Sequence, residues 1–136
     1  MALSRVVLQR PGSVAPPPPR SSAASAVVNG KLYVFGGYGG PGTIGRLDDF
    51  YSFSLKGDDD ACWEVVDVLS DERPGCRECN PVAVVVAGDG GDSNDSDDSS
   101  RTFYLYGGYD GTKWLNDLWT FDVDARRWID SLWFIF

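Results

Sequence analysis

The sequence predicts an all-β chain built from two consecutive four-stranded antiparallel sheets. Three observations lead there. The composition holds 16 Gly, 8 Pro and 5 Trp against a single Met in 136 residues, which suits a turn-rich sheet protein and not a helical bundle. Hydrophobic segments of strand length recur between Gly, Pro, Asn and Asp clusters. The chain also repeats itself: Lys31 to Tyr38 matches Thr102 to Tyr109 position by position at an offset of 71. Further on, Asp49-Phe50-Tyr51-Ser52-Phe53 matches Asp117-Leu118-Trp119-Thr120-Phe121 at 68, and Trp63 matches Trp128 at 65. Upstream, Arg20 matches Arg77 and Val27-Val28 matches Val84-Val85, both at 57.

The first copy supplies four strand-like segments: 24–28, 32–35, 50–55 and 62–69. Asn29-Gly30 joins the first two, and both residues accept the positive φ of a type I′ hairpin turn. The second copy supplies 82–87, 103–106, 117–123 and a strand from Arg127 onward. Strand two is apolar throughout in both copies, as expected of a strand buried on both faces. The Gly doublets Gly36-Gly37 and Gly107-Gly108 are expected to end it, where a Cβ would obstruct close backbone approach. Pro81 lacks an N–H, so the strand after it should fray at its start.

The changing offsets place the insertions. The second copy gains 14 residues at 88–101, and the first holds one extra triplet in the loop 38–48 and another in 54–62. Without those six, the repeat is 51 residues long. A period of about 50 with four antiparallel strands describes one blade of a propeller.

Charge and composition exclude several functions. The formal net charge is −8, which opposes a nucleic-acid binder that neutralises phosphates. No His is present, which removes Ser–His and Cys–His catalysis and most zinc sites. No apolar run is long enough to cross a bilayer. Three Cys are too few for a disulfide scaffold, so a reducing compartment, cytoplasm or nucleus, is expected. Residues 1–47 carry five basic residues and no acid, which also fits a transit peptide, the plainer reading being a short tail before the fold.

Four local patterns invite sharper readings. Gly37 to Gly42 satisfies G-x-G-x-x-G, but Pro41, Gly42 and Gly45 oppose the helix that a dinucleotide site needs. Cys76-Arg77-Glu78-Cys79 is a C-x-x-C whose further ligands could be Cys62 with Glu78 or Asp67, a poor zinc set. The acidic run 88–101 holds five Asp without the Gly and Glu spacing of an EF-hand, and reads as a disordered, solvated insertion. Asp48-Asp49 becomes Asn116-Asp117 in the second copy, so capping of a turn by Asp49 and Asp117 is expected before acid–base catalysis.

Taken together, the chain resembles the kelch-repeat family. The residues that carry the resemblance are Pro19-Arg20, Val27-Val28, Asn29 to Gly37, Asp49-Phe50-Tyr51 and Trp63 in the first copy. Arg73-Pro74, Arg77, Gly107-Gly108, Asn116 to Trp119, Phe121-Asp122 and Trp128 carry it in the second. The Gly-His-Ser frequent in the family after the Arg is replaced by Ser22-Ala23-Ala24 and by Cys79-Asn80-Pro81. The resemblance implies a partial propeller, an open arc of two blades, with repeat 1 at 19–72 and repeat 2 at 73–136. Residues 1–18 form a Pro-rich tail in which 6–8 could be the outer strand of a preceding blade. The apolar end 132–136 is atypical, and a piece of a longer protein is expected.

Gly36, Gly37, Tyr51, Trp63, Gly107, Gly108, Trp119 and Trp128 are then the structural signature, with both Trp63 and Trp128 packed between blades. Arg20 and Arg77 should pair with carbonyls or carboxylates. The implied function is protein–protein interaction as a scaffold or substrate-recruiting adaptor, with no enzyme activity, cofactor, metal, nucleic acid or membrane. Partner contacts would fall on Tyr38, Arg46, Tyr109, Asp110 and Lys113, and on Arg20 and Arg77 at the blade entrances. Self-association through open blade faces is a further expectation. Two rivals are part of a kelch-type enzyme, of the copper oxidase or sugar epimerase class, and purely structural blades.

Overall fold

The computed structural model describes residues 14–28, 30–40, 45–55, 62–79, 82–86 and 101–131. Among the described residues nine strands form two antiparallel sheets. Blade 1 contains β1 (Arg20–Ser21), β2 (Ala24–Val28), β3 (Lys31–Gly39), β4 (Gly45–Ser54) and β5 (Trp63–Val65). Blade 2 contains β6 (Val82–Val86), β7 (Arg101–Tyr109), β8 (Trp114–Asp122) and β9 (Arg127–Asp130). Both β1 and β2 pair with β3, so they are two pieces of one edge strand, broken at Ser22 with φ 54°. Blade 2 repeats the break. Glu78 bridges Tyr109 as Ser21 pairs with Tyr38, and Cys79 takes φ 58° where Ser22 stands in blade 1.

The Gly doublets do not end the second strand, as the sequence suggested. Pairing continues through them to Gly39 and Tyr109, with a register shift between Phe35 and Gly37 and between Tyr106 and Gly108. The reason is conformational. Gly36 and Gly37 take φ of 63° and 98°, and Gly107 and Gly108 take 64° and 99°. The extra residue lies on the partner strand, where Asp48 and Asp49 oppose Gly36 and Asn116 and Asp117 oppose Gly107; the two left-handed glycines follow this bulge and the ladder resumes beyond it. A Cβ on Gly36 would sit 2.8 Å from the Arg77 carbonyl oxygen and 2.9 Å from that of Leu47.

The outer strand expected at 62–69 shortens to Trp63–Val65. Beyond it the chain becomes a connector to blade 2: Val66 N–H bonds to Phe50 O, Leu69 N–H to Arg126 O, and Ser70 Oγ accepts from Trp128 N–H. The expected strand at 6–8, the Asn29 turn residue, the Pro81 strand start, the run 88–100 and the end 132–136 lie outside the described residues. Arg101, placed in the acidic insertion, instead begins β7.

Burial follows the pleat. In blade 1 the residues 24, 26, 28, 33, 35, 50 and 52 share one face and are buried, while their neighbours on the other face are half-buried or exposed. In blade 2 the buried face is the opposite one, carrying Phe103, Leu105, Phe121 and Trp128. The two faces meet as one aromatic core. Trp128 lies 5.4 Å from Phe35 and Phe50, and Phe50 lies 4.8 Å edge-on to Phe121. Such tilted and T-shaped pairs add about 0.5–1.5 kcal/mol each beyond their buried area. Strand two is thus buried on one face in each blade, because among the described residues each blade has one neighbour.

Candidate interaction surface

The repeat arginines hold each blade at its inner edge. Arg20 makes a bidentate pair with Asp49, its Nη2 donating at 2.9 Å to Oδ2, and Nη1 donates to Gly36 O at 2.9 Å. Arg77 repeats this with Asp117 at 2.8 and 2.9 Å and with Gly107 O at 3.0 Å. The pairing with carboxylates and carbonyls is the expected one. The expected turn-capping role of Asp49 and Asp117 is corrected: each is the partner of its arginine. Burial raises the Asp117 pKa, but hydrogen bonds from Arg77 and from Trp119 Nε1 at 2.7 Å outweigh it and hold the carboxyl below its usual range. The Arg20 guanidinium also lies 5.5 Å from the Tyr51 ring, the position Trp119 occupies in blade 2.

These side chains are 7% and 3% exposed at Arg20 and Arg77, with their donors directed into the blades. A partner-anchoring role needs accessible guanidinium groups, so the geometry speaks against the two as contact residues. Arg77 also bridges the blades. Its N–H donates to Leu47 O and its carbonyl accepts from Gly37 N–H in blade 1, while its side chain serves blade 2.

The other five nominated residues converge at the Gly-doublet end of both blades. Tyr38 is the last residue but one of β3, Arg46 is the second of β4, and Tyr109 ends β7 before the turn 110–113. Arg46 crosses between the blades, its guanidinium 5.6 Å from the Tyr38 ring and 4.8 Å from the Tyr109 ring. Glu78 pairs with it at 2.7 Å. Gly111, with φ 104°, leaves the space: a Cβ there would lie 2.8 Å from Arg46 Nη1. Asp110 shapes the turn by accepting from the N–H groups of Thr112 and Lys113, and from the Thr112 hydroxyl, at 2.7–2.9 Å. Those bonds lower its pKa to about 2. Lys113 is exposed beside it.

Sequence reasoning missed two members of this rim. Glu78 was weighed as a metal ligand and serves Arg46 instead. Trp114 packs at a tilt on Tyr109, ring centres 5.1 Å apart, and is 73% exposed. The repeat held the signal, because the offset of 68 that aligns the third strands puts Trp114 on Arg46.

At the opposite end an open cleft of about 830 Å³ lies between the blades, lined by Lys31, Tyr33, Ser52, Glu64, Phe121 and Arg126 among others. Lys31 pairs with Glu64 at 2.8 Å, which raises its pKa, and Arg126 pairs with Asp67 at 3.0 Å. Among the described residues no group of three or more His, Cys, Asp or Glu could hold a metal, and the three free cysteines do not converge with a fourth donor. No helix among them is long and apolar enough to cross a membrane.

Comparison with known proteins finds similarity in the same pattern. Residues 19–66 match the model of the kelch motif. The human leucine-zipper-like transcriptional regulator 1 is 29% identical over 113 residues, covering 82% of this chain and 11% of that protein. Human host cell factor 1 is 28% identical over 131 residues, covering 91% of this chain and 6% of that protein. The Drosophila melanogaster homolog of leucine-zipper-like transcriptional regulator 1 is 25% identical over 116 residues, covering 82% and 10%. The chain therefore spans about a tenth or less of the length of these relatives. Residues 19–66 of blade 1 thus carry a kelch motif, and the features of that motif recur strand for strand in blade 2.

Proposed function

We propose that the chain is a protein-interaction module, a scaffold or substrate-recruiting element without catalysis of its own, and that its contact surface is the rim of Tyr38, Arg46, Tyr109, Asp110 and Lys113. The observation that carries this reading is the convergence itself. Residues from two loops 71 apart in sequence meet through Arg46 between two tyrosines, on a rim stiffened by the Gly bulges and the Asp110 turn. Ordered aromatic and Arg side chains on rigid turns make good protein contacts, because little side-chain entropy remains to be lost on binding. The relatives support it, being named as a transcriptional regulator and a host cell factor and not as enzymes. The reading extends to repeat limits of 19–72 and 73–136 and to a cytoplasmic or nuclear setting.

A purely structural role has one observation in its favour: Arg20, Arg77 and Arg46 are all engaged within the chain. Co-precipitation separates the two. Proteins retained by the immobilised chain should be lost about tenfold on Tyr38→Ala combined with Lys113→Ala, the size of one good interface anchor. They should persist on Leu55→Ser, an exposed residue at the far end. Equal retention by all three proteins would remove the rim from the account.

A further inference from the structure

The face of blade 2 turned away from blade 1 carries Tyr104, Tyr106, Leu118, Thr120 and Ile129, aligned across the sheet by the ladder. Their repeat equivalents in blade 1 are Tyr33, Phe35, Phe50, Ser52 and Glu64. Four of these five keep their chemistry: Tyr for Tyr, Tyr for Phe, Leu for Phe and Thr for Ser. The fifth exchanges a charged Glu for an apolar Ile. In blade 1 this face is the one covered by blade 2. In blade 2, among the described residues, no second sheet packs on it: Tyr104, Leu118 and Thr120 are half-buried, and Tyr106 is 52% exposed where Phe35 is buried.

The complement is also present in this chain. Blade 2 covers blade 1 with Phe103, Leu105, Phe121 and Trp128. The same positions on the outward face of blade 1 are Leu32, Val34, Phe53 and Trp63, each half-buried. The two outward faces are thus copies of the two halves of the interface already seen.

We propose that the outward face of blade 2 takes the Trp63-bearing face of a second copy of this chain, head to tail. The rim adds a contact of its own. Arg46 reaches from blade 1 to Tyr109 of blade 2, and Trp114, at the position of Arg46, would reach Tyr38 of the second copy. That accounts for a Trp held on Tyr109 yet 73% exposed. A head-to-tail contact closes into a ring when its rotation allows. Propellers close at about 4–8 blades, so about two to four two-blade copies would complete one.

The test is the solution mass of the full chain by light scattering and sedimentation, from about 1 to 200 μM, a span that captures micromolar association. The proposal predicts a discrete species of about two to four times the 14.8 kDa chain mass, with Trp emission shifting to the blue as it forms. Tyr106→Asp should stop assembly at the blade 2 face, and Val65→Asp, at a residue 57% exposed beside Trp63, should stop it at the blade 1 face. Each variant alone should be a monomer. Their mixture should form a 1:1 dimer and grow no further, because each keeps one intact face. If either variant misfolds, Ile129→Asp and Val27→Asp, also at exposed positions, make the same test. A wild-type monomer throughout, variants that assemble as the wild type does, or folded variants that fail to pair when mixed would each overturn the proposal. The first of these results would leave the face to a blade of another chain.

Discussion

Blade 1 and blade 2 have nearly the same strands, the same paired bulges and the same arginine–aspartate clasp, yet equivalent residues have opposite surroundings. Trp128 is 3% exposed in the aromatic core, while Trp63 at the same repeat position packs half-buried on Tyr51 and Phe53 of its own blade. Phe35 is buried and its counterpart Tyr106 is exposed. The repeat encodes how a blade folds. Which of its two apolar faces is covered depends on the neighbour beside it.

That difference can be broken by unequal losses from equal substitutions. The largest should come from tryptophan. Trp128→Ala should cost about 3–5 kcal/mol by denaturant unfolding, as expected of an aromatic removed from a core, and Trp63→Ala no more than about half of that. Similar losses would mean that the two environments are alike.

Next come the clasps. Arg77→Met leaves Asp117 partly buried without its arginine partner while the backbone bonds of residue 77 to blade 1 remain, at a cost of about 3 kcal/mol. Arg20→Met should cost less, because Asp49 is the more exposed of the two carboxylates. The folded-state pKa of Asp117 is depressed, so its contribution is fully present above its unfolded value. It fades as pH falls through the folded one. Arg77→Met should therefore flatten the acid limb of the stability profile between pH 5 and 2, roughly the range in which a paired carboxylate titrates.

The bulges give a smaller contrast. Gly107→Ala forces a positive φ and meets Leu115 O at 2.9 Å, for a cost of about 1–3 kcal/mol. Gly36→Ala should cost more, since its Cβ meets the Arg77 carbonyl as well as that of Leu47 and so disturbs the joint between blades. Least of all, Lys31→Ala should cost under about 1 kcal/mol, as its pair with Glu64 is exposed on both sides.

Much of this was legible in the sequence because a repeat supplies its own alignment. The offset of 71 located β3 and β7, and that of 68 located β4 and β8. The conformation of the doublets was less legible. Two adjacent glycines mark a break, but whether the ladder ends or bulges depends on the strand pairing beyond, here Tyr38 with Arg46 and Tyr109 with Trp114. The Arg–Asp clasps were half legible. Arg20 and Asp49 stood out separately, but 29 residues of separation gave no sign that they meet. Burial was the least legible property. Tyr33 and Tyr104 are nearly interchangeable as sequence, and the packing of one sheet on another distinguishes them.

The central claim is that the aromatic face joining the blades is a specific contact between one face of each repeat. A double-mutant cycle on Phe35→Leu and Trp128→Phe, rings 5.4 Å apart across the blades, tests it most directly. The predicted coupling is about 0.5–1.5 kcal/mol, with none for the equivalent pair Tyr106 and Trp63 in the dilute monomer. Zero coupling at Phe35 and Trp128, or equal coupling at both pairs under dilution, would contradict it.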